Sequence, residues 1–295
     1  MSSLTNHRGA IVSTHCYSEL LHINSSKVLS TLPIRTSDFT RCYQKDPKLN
    51  DCLRKAVPEA LKKMKDGIPS LSVPPMEPLL VSSVEIKSGG GPVLVTQSYR
   101  DIKLHGLTDS TLTTYKSEST QFDSKVVHAS ANGESFFISR NYFYNSQEER
   151  ADLKRFRLRT DSLTPKMEFV GDYVMSGRIL VLPIQGKGVA NITMVNLVVK
   201  HDLIGEKVEK DGQVFMHLKD YKVKFIPQRV VMHFTNLFNG DERLGKQMNS
   251  FLNENWELVF NELKQSYEDS LSSVFKDVSN RIFDNVPMNK IFLED

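Results

Sequence analysis

The 295-residue sequence has no long apolar run, only three cysteines and one tryptophan, and little net charge. Its longest uninterrupted apolar run, Ile179–Ile184, contains Pro183. A membrane-spanning helix needs about 20 apolar residues, so an integral membrane protein is excluded. The 38 basic and 35 acidic side chains give a formal charge of only +3, which provides no strong overall field for nucleic acid or anionic membrane. Hydrophobic residues make up 39% of the chain, as in folded soluble proteins.

Motifs that carry enzymatic chemistry are also missing. The sequence contains neither HExxH nor GxSxG, and its eight histidines are scattered. Residues 240–246 spell GxxxxGK, but Gln247 stands where a phosphate loop has Ser or Thr, and Asp241 and Glu242 would repel phosphate. A turn followed by a helix cap is the favoured interpretation. We therefore expect no catalytic residues, no metal and no cofactor.

Two of the cysteines flank a short polar loop. Cys42 and Cys52 enclose the turn signal Asp46-Pro47, so the loop can fold back on itself. Spacing alone leaves two alternatives open, a disulfide or two free thiols. Zinc is disfavoured because no second Cys or His pair stands nearby at ligand spacing.

The pattern along the chain predicts one domain behind a leader. Residues 1–35 are rich in Ser and Thr and weakly patterned, which indicates a poorly ordered leader, and residues 1–31 lack the features of a signal peptide. Residues 36–295 are expected to form a single domain. It begins with a short amphipathic helix over Leu53–Lys65, which Gly67 ends.

From Leu79 to Asn236 the dominant hydrophobic period is two, which predicts antiparallel strands with one apolar face. No helix of useful length interrupts this region, so parallel βαβ winding is excluded. Around Asn196 the apolar positions change parity, from Ile192 and Met194 to Leu197 and Val199, which predicts a β-bulge.

After Asn239-Gly240 the period becomes helical, and no proline occurs between Pro227 and Pro287. This predicts a helix of about 40 residues, roughly 60 Å long. Its middle is apolar on most sides, so it must be surrounded, and only the long sheet can surround it. The predicted fold class is α+β: a long C-terminal helix wrapped by a highly curved antiparallel sheet.

Four blocks of the sequence resemble one protein family. They are CYQKDPKLNDCL, GIPSLSVPPMEPLLV, ILVLPIQGKG and NLFNGDERLGKQMNSFLNENW, in this order from Cys42 onward. They closely resemble the takeout and juvenile-hormone-binding-protein family of insects. Residues 126–149 have no counterpart that we recognise in the family, and we expect them to be a loop insertion that protrudes as a loop or irregular hairpin.

The resemblance implies a secreted protein that encloses small lipophilic ligands in an internal apolar tunnel. It implies that Cys42 and Cys52 form the family's N-terminal disulfide, which leaves Cys16 free. We expect an extracellular monomer whose partner is a small lipophilic ligand, with no nucleic acid and no integral membrane contact. The family offers no catalytic residues to carry over.

Periodicity suggests which residues line the tunnel. One stripe of the long helix carries Met248, Leu252, Trp256, Val259 and Leu263. The facing wall of the sheet is expected to contain Phe169, Tyr173, Val223 and Phe225. The predicted function is that of a non-catalytic carrier of a juvenile-hormone-like terpenoid or a fatty acyl lipid. Two alternatives remain open: a secreted signalling protein with a structural lipid, and a lipid esterase.

Overall fold

The computed structural model describes residues 38–88, 90–113, 127–131, 134–138 and 150–294. They belong to one compact unit. The predicted leader and Cys16 lie outside the described residues. In chain order the elements are β1 (Cys42–Tyr43), α1 (Leu49–Lys63), β2 (Leu79–Lys87), β3 (Val93–His105), β4 (Thr111–Thr113), β5 (Val127–Ala131), β6 (Glu134–Ile138), β7 (Arg150–Asp152), β8 (Arg157–Ile179), β9 (Leu182–Lys210), β10 (Gln213–Ile226), β11 (Arg229–Phe234), α2 (Glu242–Glu254), α3 (Trp256–Phe283), α4 (Met288–Ile291) and β12 (Phe292–Leu293).

The main sheet is antiparallel throughout, as the period of two predicts. Its order is β10–β9–β8–β3–β2, with β11 also pairing β9 and with β4 and β7 pairing β8. The long β8–β9 hairpin forms its centre. In the segment predicted to be an insertion, β5 and β6 pair with each other as a two-stranded antiparallel sheet. The rest of that segment lies outside the described residues.

Along β9, the residues that face inward change from even to odd numbers near Asn196, but no bulge causes this change. On β9 the buried positions pass from Ile192 and Met194 to Leu197, as the sequence indicates. The register is nevertheless the same on both sides, with Thr164 opposite Leu197 and Lys166 opposite Val195. The predicted bulge is therefore wrong. The switch coincides with the left-handed backbone of Asn196 (φ 47°), a conformation that Asn tolerates better than most residues.

Helix α3 contacts both edges of the main sheet. On the β2 side, the backbone N–H of Lys87 donates to Oγ of Ser266 over 3.2 Å. On the β10 side, the backbone N–H of Phe225 donates to Oε1 of Glu268 over 2.8 Å. One turn of the helix therefore reaches both edge strands and spans the gap between them. The sheet is curved around the helix, and the predicted fold class is confirmed.

Helix α2 covers β11, which continues the β10 edge of the sheet along β9, through asparagine side chains. The amide of Asn249 accepts from the backbone N–H of Phe234 and donates to its carbonyl, each over 2.9 Å. Asn253, one turn later, makes the same pair of bonds with Met232. These side chains satisfy the hydrogen-bonding groups of β11 that would otherwise be unpaired.

The predicted 40-residue helix is interrupted. Helices α2 and α3 meet at Asn255, whose backbone (φ −109°, ψ 28°) departs from helical geometry. The first helix begins at Leu49, four residues before the predicted start at Leu53. Among the helices of the described residues, none combines the length and hydropathy that a membrane span requires.

Candidate functional site: an apolar cavity with a polar trio

A cavity of about 420 Å³ lies between α1, the C-terminal half of α3 and the open end of the β8–β9 hairpin. Most of its wall is apolar. Helix α1 and the turn after it supply Leu53, Val57, Ala60, Leu61 and Met64; α3 supplies Phe275, Val278 and Ile282; the hairpin supplies Leu158 and Leu203. The α1 residues recur at intervals of one to four positions, so one face of this short helix points into the cavity.

The rim of the cavity is built around the predicted disulfide. Cys42 and Cys52 are bonded, with Cα atoms 5.8 Å apart, which ties β1 to α1. Strand β1 pairs in parallel with β12, so that Cys42 lies opposite Phe292. The exposed cations Arg41 and Lys290, which precede β1 and β12 in the chain, also line the cavity. The chain termini of the domain are thereby fastened beside the cavity.

Among the polar side chains that interrupt the apolar wall, three are joined by hydrogen bonds. Oγ of Ser162 lies 2.9 Å from Nε2 of His201, and the hydroxyl of Tyr221 lies 3.1 Å from Nδ1 of the same ring. All three line the cavity. They come from β8, β9 and β10, three adjacent strands, so the sheet register places them side by side.

Burial keeps this trio neutral. It lowers the pKa of His201 to about 4, because the charged imidazolium would lose its hydration. Burial also raises the pKa of Tyr221 above its ordinary value. At neutral pH the trio is therefore a serine hydroxyl, a neutral imidazole and a phenol.

A count of hydrogens shows what the trio can offer a ligand. Each neutral member carries one polar hydrogen, and the two contacts within the trio use two of the three. In one tautomer of His201 the remaining hydrogen belongs to Tyr221, and in the other it belongs to Ser162. Either way, one hydroxyl donor is left over on the cavity wall, and it can bind an acceptor oxygen of a ligand.

A nearby cluster of arginines is engaged within the protein. Arg157 donates through Nε to Oδ1 of Asp202 over 2.8 Å, and Nε of Arg159 lies 3.4 Å from the same oxygen. Burial opposes ionisation of Asp202, but the hydrogen bonds from Arg157 hold its pKa below the ordinary value. Both guanidinium groups are thus paired with the same carboxylate.

The GxxxxGK stretch is a turn and a helix cap. Oδ1 of Asp241 accepts from the backbone N–H of Leu244 over 2.9 Å at the start of α2. The interpretation of this stretch as a cap is confirmed. No cluster of three metal-ligating side chains occurs within the described ranges.

The nine residues predicted to line a tunnel come together in the main core. Trp256 is half-buried there, and the other eight are buried: Met248, Leu252, Val259, Leu263, Phe169, Tyr173, Val223 and Phe225. None of the nine belongs to the wall of the 420 Å³ cavity. That they line a tunnel stays a prediction.

The trio itself was missed by sequence reasoning. Ser162 precedes His201 by 39 residues and Tyr221 follows it by 20, so no local motif connects them. His201 stands between Val199 and Leu203 on its face of β9, but Ser162 is flanked at the same spacing by Thr160 and Thr164, so an apolar face does not single out the trio. The trio becomes visible only with the strand register.

Comparisons with known proteins agree with this fold. The sequence profile described as haemolymph juvenile hormone binding protein matches residues 20–142 and 144–293. This match starts within the predicted leader and runs across most of residues 126–149. The circadian clock-controlled protein daywake of Drosophila melanogaster is 22% identical over 87% of each chain, and that of Drosophila yakuba is 24% identical over 87% of each chain.

Among solved structures, takeout 1 of Epiphyas postvittana superposes with a TM-score of 0.66 at 22% identity, covering 86% of this chain and 99% of that one. At this identity the superposition supports the fold. The profile match spans nearly the whole sequence, and it confirms the resemblance that the four blocks carry. The chain belongs to the haemolymph juvenile hormone binding protein family.

Proposed function

We propose that this protein binds a small lipophilic ligand in the cavity between α1, α3 and the sheet, and that it carries the ligand without changing it chemically. The observation that supports this most is a mostly apolar cavity of about 420 Å³ whose wall carries the Ser162–His201–Tyr221 trio, which has one hydroxyl hydrogen to spare. Pockets of this size and character are typical of small-molecule sites. Burial of apolar ligand surface would supply the affinity, at about 25 cal/mol per Å².

The ligand class follows from the same features. A terpenoid similar to juvenile hormone, the ligand in the family's description, or a fatty acyl lipid combines an apolar chain with an acceptor oxygen. The apolar walls would hold the chain, and Ser162 or Tyr221 would donate to the oxygen. A pure hydrocarbon would leave that donor unpaired, which costs binding free energy.

The proposed site of action is extracellular, with the protein as a monomer. The family description places its members in haemolymph, and the Cys42–Cys52 bond suits an oxidising compartment. In this setting the protein would keep a sparingly soluble molecule away from water and transport it.

An esterase is the second candidate, because the Ser162–His201 contact of 2.9 Å has the length of a nucleophile–base hydrogen bond. Two observations weigh against it. A histidine whose pKa is lowered to about 4 is a weak base at neutral pH. Its other nitrogen contacts the phenol of Tyr221. A catalytic histidine is instead paired with a carboxylate, because the carboxylate stabilises the imidazolium that forms during the reaction.

Native mass spectrometry tests the proposal. Protein stripped of lipid and incubated with methyl palmitate should gain the mass of one intact ester, which organic extraction should return unchanged. Release of palmitic acid that Ser162→Ala abolishes would establish the esterase instead. Failure to bind methyl palmitate, palmitic acid or a farnesyl ester would contradict the carrier and favour a signalling surface.

A further inference from the structure

Exposed aliphatic side chains concentrate at the closed end of the β8–β9 hairpin. Within the described part of the chain, five of the nine large apolar residues with exposed side chains belong to this hairpin: Val174, Leu180, Val181, Leu182 and Val189. Val181, at the tip, is 89% exposed. A local concentration of this kind on a soluble protein marks an interaction surface more often than isolated exposed residues do.

The turn of this hairpin also departs from the usual turn chemistry. Leu180 has a φ of 55°, a left-handed conformation that two-residue hairpin turns assign to Gly or Asn. Its N–H donates to the carbonyl of Pro92 over 2.6 Å, which fixes the turn against the neighbouring loop. A position that breaks a local rule, and that exposes aliphatic surface as well, indicates a function outside folding.

The charged side chains of the hairpin near its tip are all basic. Residues 173–201 contain no Asp or Glu, whereas Arg178 and Lys187 are exposed on the strands that lead to the turn. Asp172, the first acid along β8 from the turn, is exposed and lies opposite Val189, and Glu262 of α3 faces Gly91 in the loop beside the turn. The chain as a whole is nearly neutral, but residues 173–201 at the tip of this hairpin are locally basic.

We propose that the β8–β9 hairpin tip docks onto an anionic lipid surface. Leu180, Val181 and Leu182 would enter the boundary between headgroups and acyl chains, while Arg178 and Lys187 would remain at the level of the phosphates. The cavity lies at the other end of the 23-residue strand β8, beside Leu158. Docking would therefore leave the cavity rim free, and it goes beyond the proposed carrier function.

Co-sedimentation with vesicles tests this proposal. The full chain should bind vesicles of phosphatidylcholine mixed with phosphatidylserine, and binding should weaken as salt is added. Val181→Asp should reduce the apparent partition constant at least about tenfold, because a buried aliphatic side chain becomes a charge of the wrong sign. Since Val181 is almost fully exposed, this variant should fold normally and keep its affinity for lipophiles in the cavity.

Leu80→Asp is the matched control, because Leu80 is 61% exposed on β2 and lies outside the hairpin. It should bind vesicles as the unsubstituted protein does. Equal binding by the Val181→Asp protein, or no binding of the unsubstituted protein to phosphatidylserine, would overturn the proposal. A dimer in sedimentation velocity that Val181→Asp dissociates would also overturn it, and would assign the tip to a second copy of the chain.

Discussion

Oγ of Ser162 and Nε2 of His201 lie 2.9 Å apart on the cavity wall, although 39 residues separate them in sequence. The contact joins β8 to β9, and Tyr221 extends it to β10. Because burial keeps His201 neutral, the three side chains act together as one hydrogen-bond donor. This relationship leads directly to a prediction about ligand selectivity.

Removing the spare donor should reduce affinity only for ligands that carry an acceptor oxygen. Whichever members of the trio remain, one hydrogen is left over, so the variant is Ser162→Ala with His201→Leu and Tyr221→Phe. It should bind methyl palmitate about tenfold more weakly, which corresponds to one lost hydrogen bond. Hexadecane should bind equally to both proteins. Displacement of the fluorescent cis-parinaric acid measures these affinities, and equal losses for ester and hydrocarbon would contradict a polar role for the trio.

His201 should make the protein less stable in mild acid. Its pKa is about 4 in the folded protein and near 6.5 when unfolded, so the unfolded state binds the proton first. The free energy of unfolding is not reduced by this proton above about pH 6.5, and it falls by about 3 kcal/mol as the pH decreases toward 4. His201→Gln should show a shallower fall in this window, measured by urea unfolding. Parallel curves for the two proteins would show that His201 titrates normally.

The Cys42–Cys52 bond should stabilise the domain by closing a loop between β1 and α1. Replacing both cysteines with serine should lower the free energy of unfolding by about 2–3 kcal/mol, as expected for a short loop. Guanidinium titration measures the change, with the reduced unsubstituted protein as the control. A loss below about 0.5 kcal/mol would mean that the β1–β12 pair holds the rim without the bond.

Glu268 should be essential for the attachment of α3 to β10. Its carboxylate is buried, accepts the backbone N–H of Phe225, and lies 2.7 Å from Nζ of Lys224. Glu268→Leu leaves the N–H of Phe225 without its partner, so we expect a loss of about 2–4 kcal/mol. Glu268→Gln keeps an acceptor and should lose about 1 kcal/mol. Thermal unfolding of both variants tests this order, and similar losses would assign the role to packing alone.

Much of the fold could be predicted because it depends on short-range periodicity. Strands with a period of two, a helical C-terminus and a cap at Asp241 all follow from local patterns. The interruption at Asn255 could not be predicted from the hydrophobic stripe, since the stripe continues across it. The absence of a bulge at Asn196 could not be predicted either. An inserted residue and a left-handed backbone both shift the alternation of apolar residues by one position.

The position of the cavity depends on long-range contacts that periodicity does not contain. A stripe such as Met248, Leu252 and Val259 shows that a helix face is apolar, but it cannot distinguish a packed core from the wall of a cavity. The cavity lies between side chains of α1 and α3, beside the disulfide that ties α1 to β1. The trio depends on the strand register.

The most direct test of the central claim is to locate the ligand with a tryptophan reporter. Phe275 lines the cavity, whereas Trp256 lies in the core near Arg229, with 5.7 Å between the guanidinium carbon and the ring centre. In delipidated protein carrying Phe275→Trp and Trp256→Phe, titration with palmitic acid should change the emission saturably. The emission of Trp256 in the unsubstituted protein should stay constant. A saturable response of Trp256 with a silent reporter at position 275 would contradict the account, and would place the ligand beside the stripe of Met248, Leu252 and Val259.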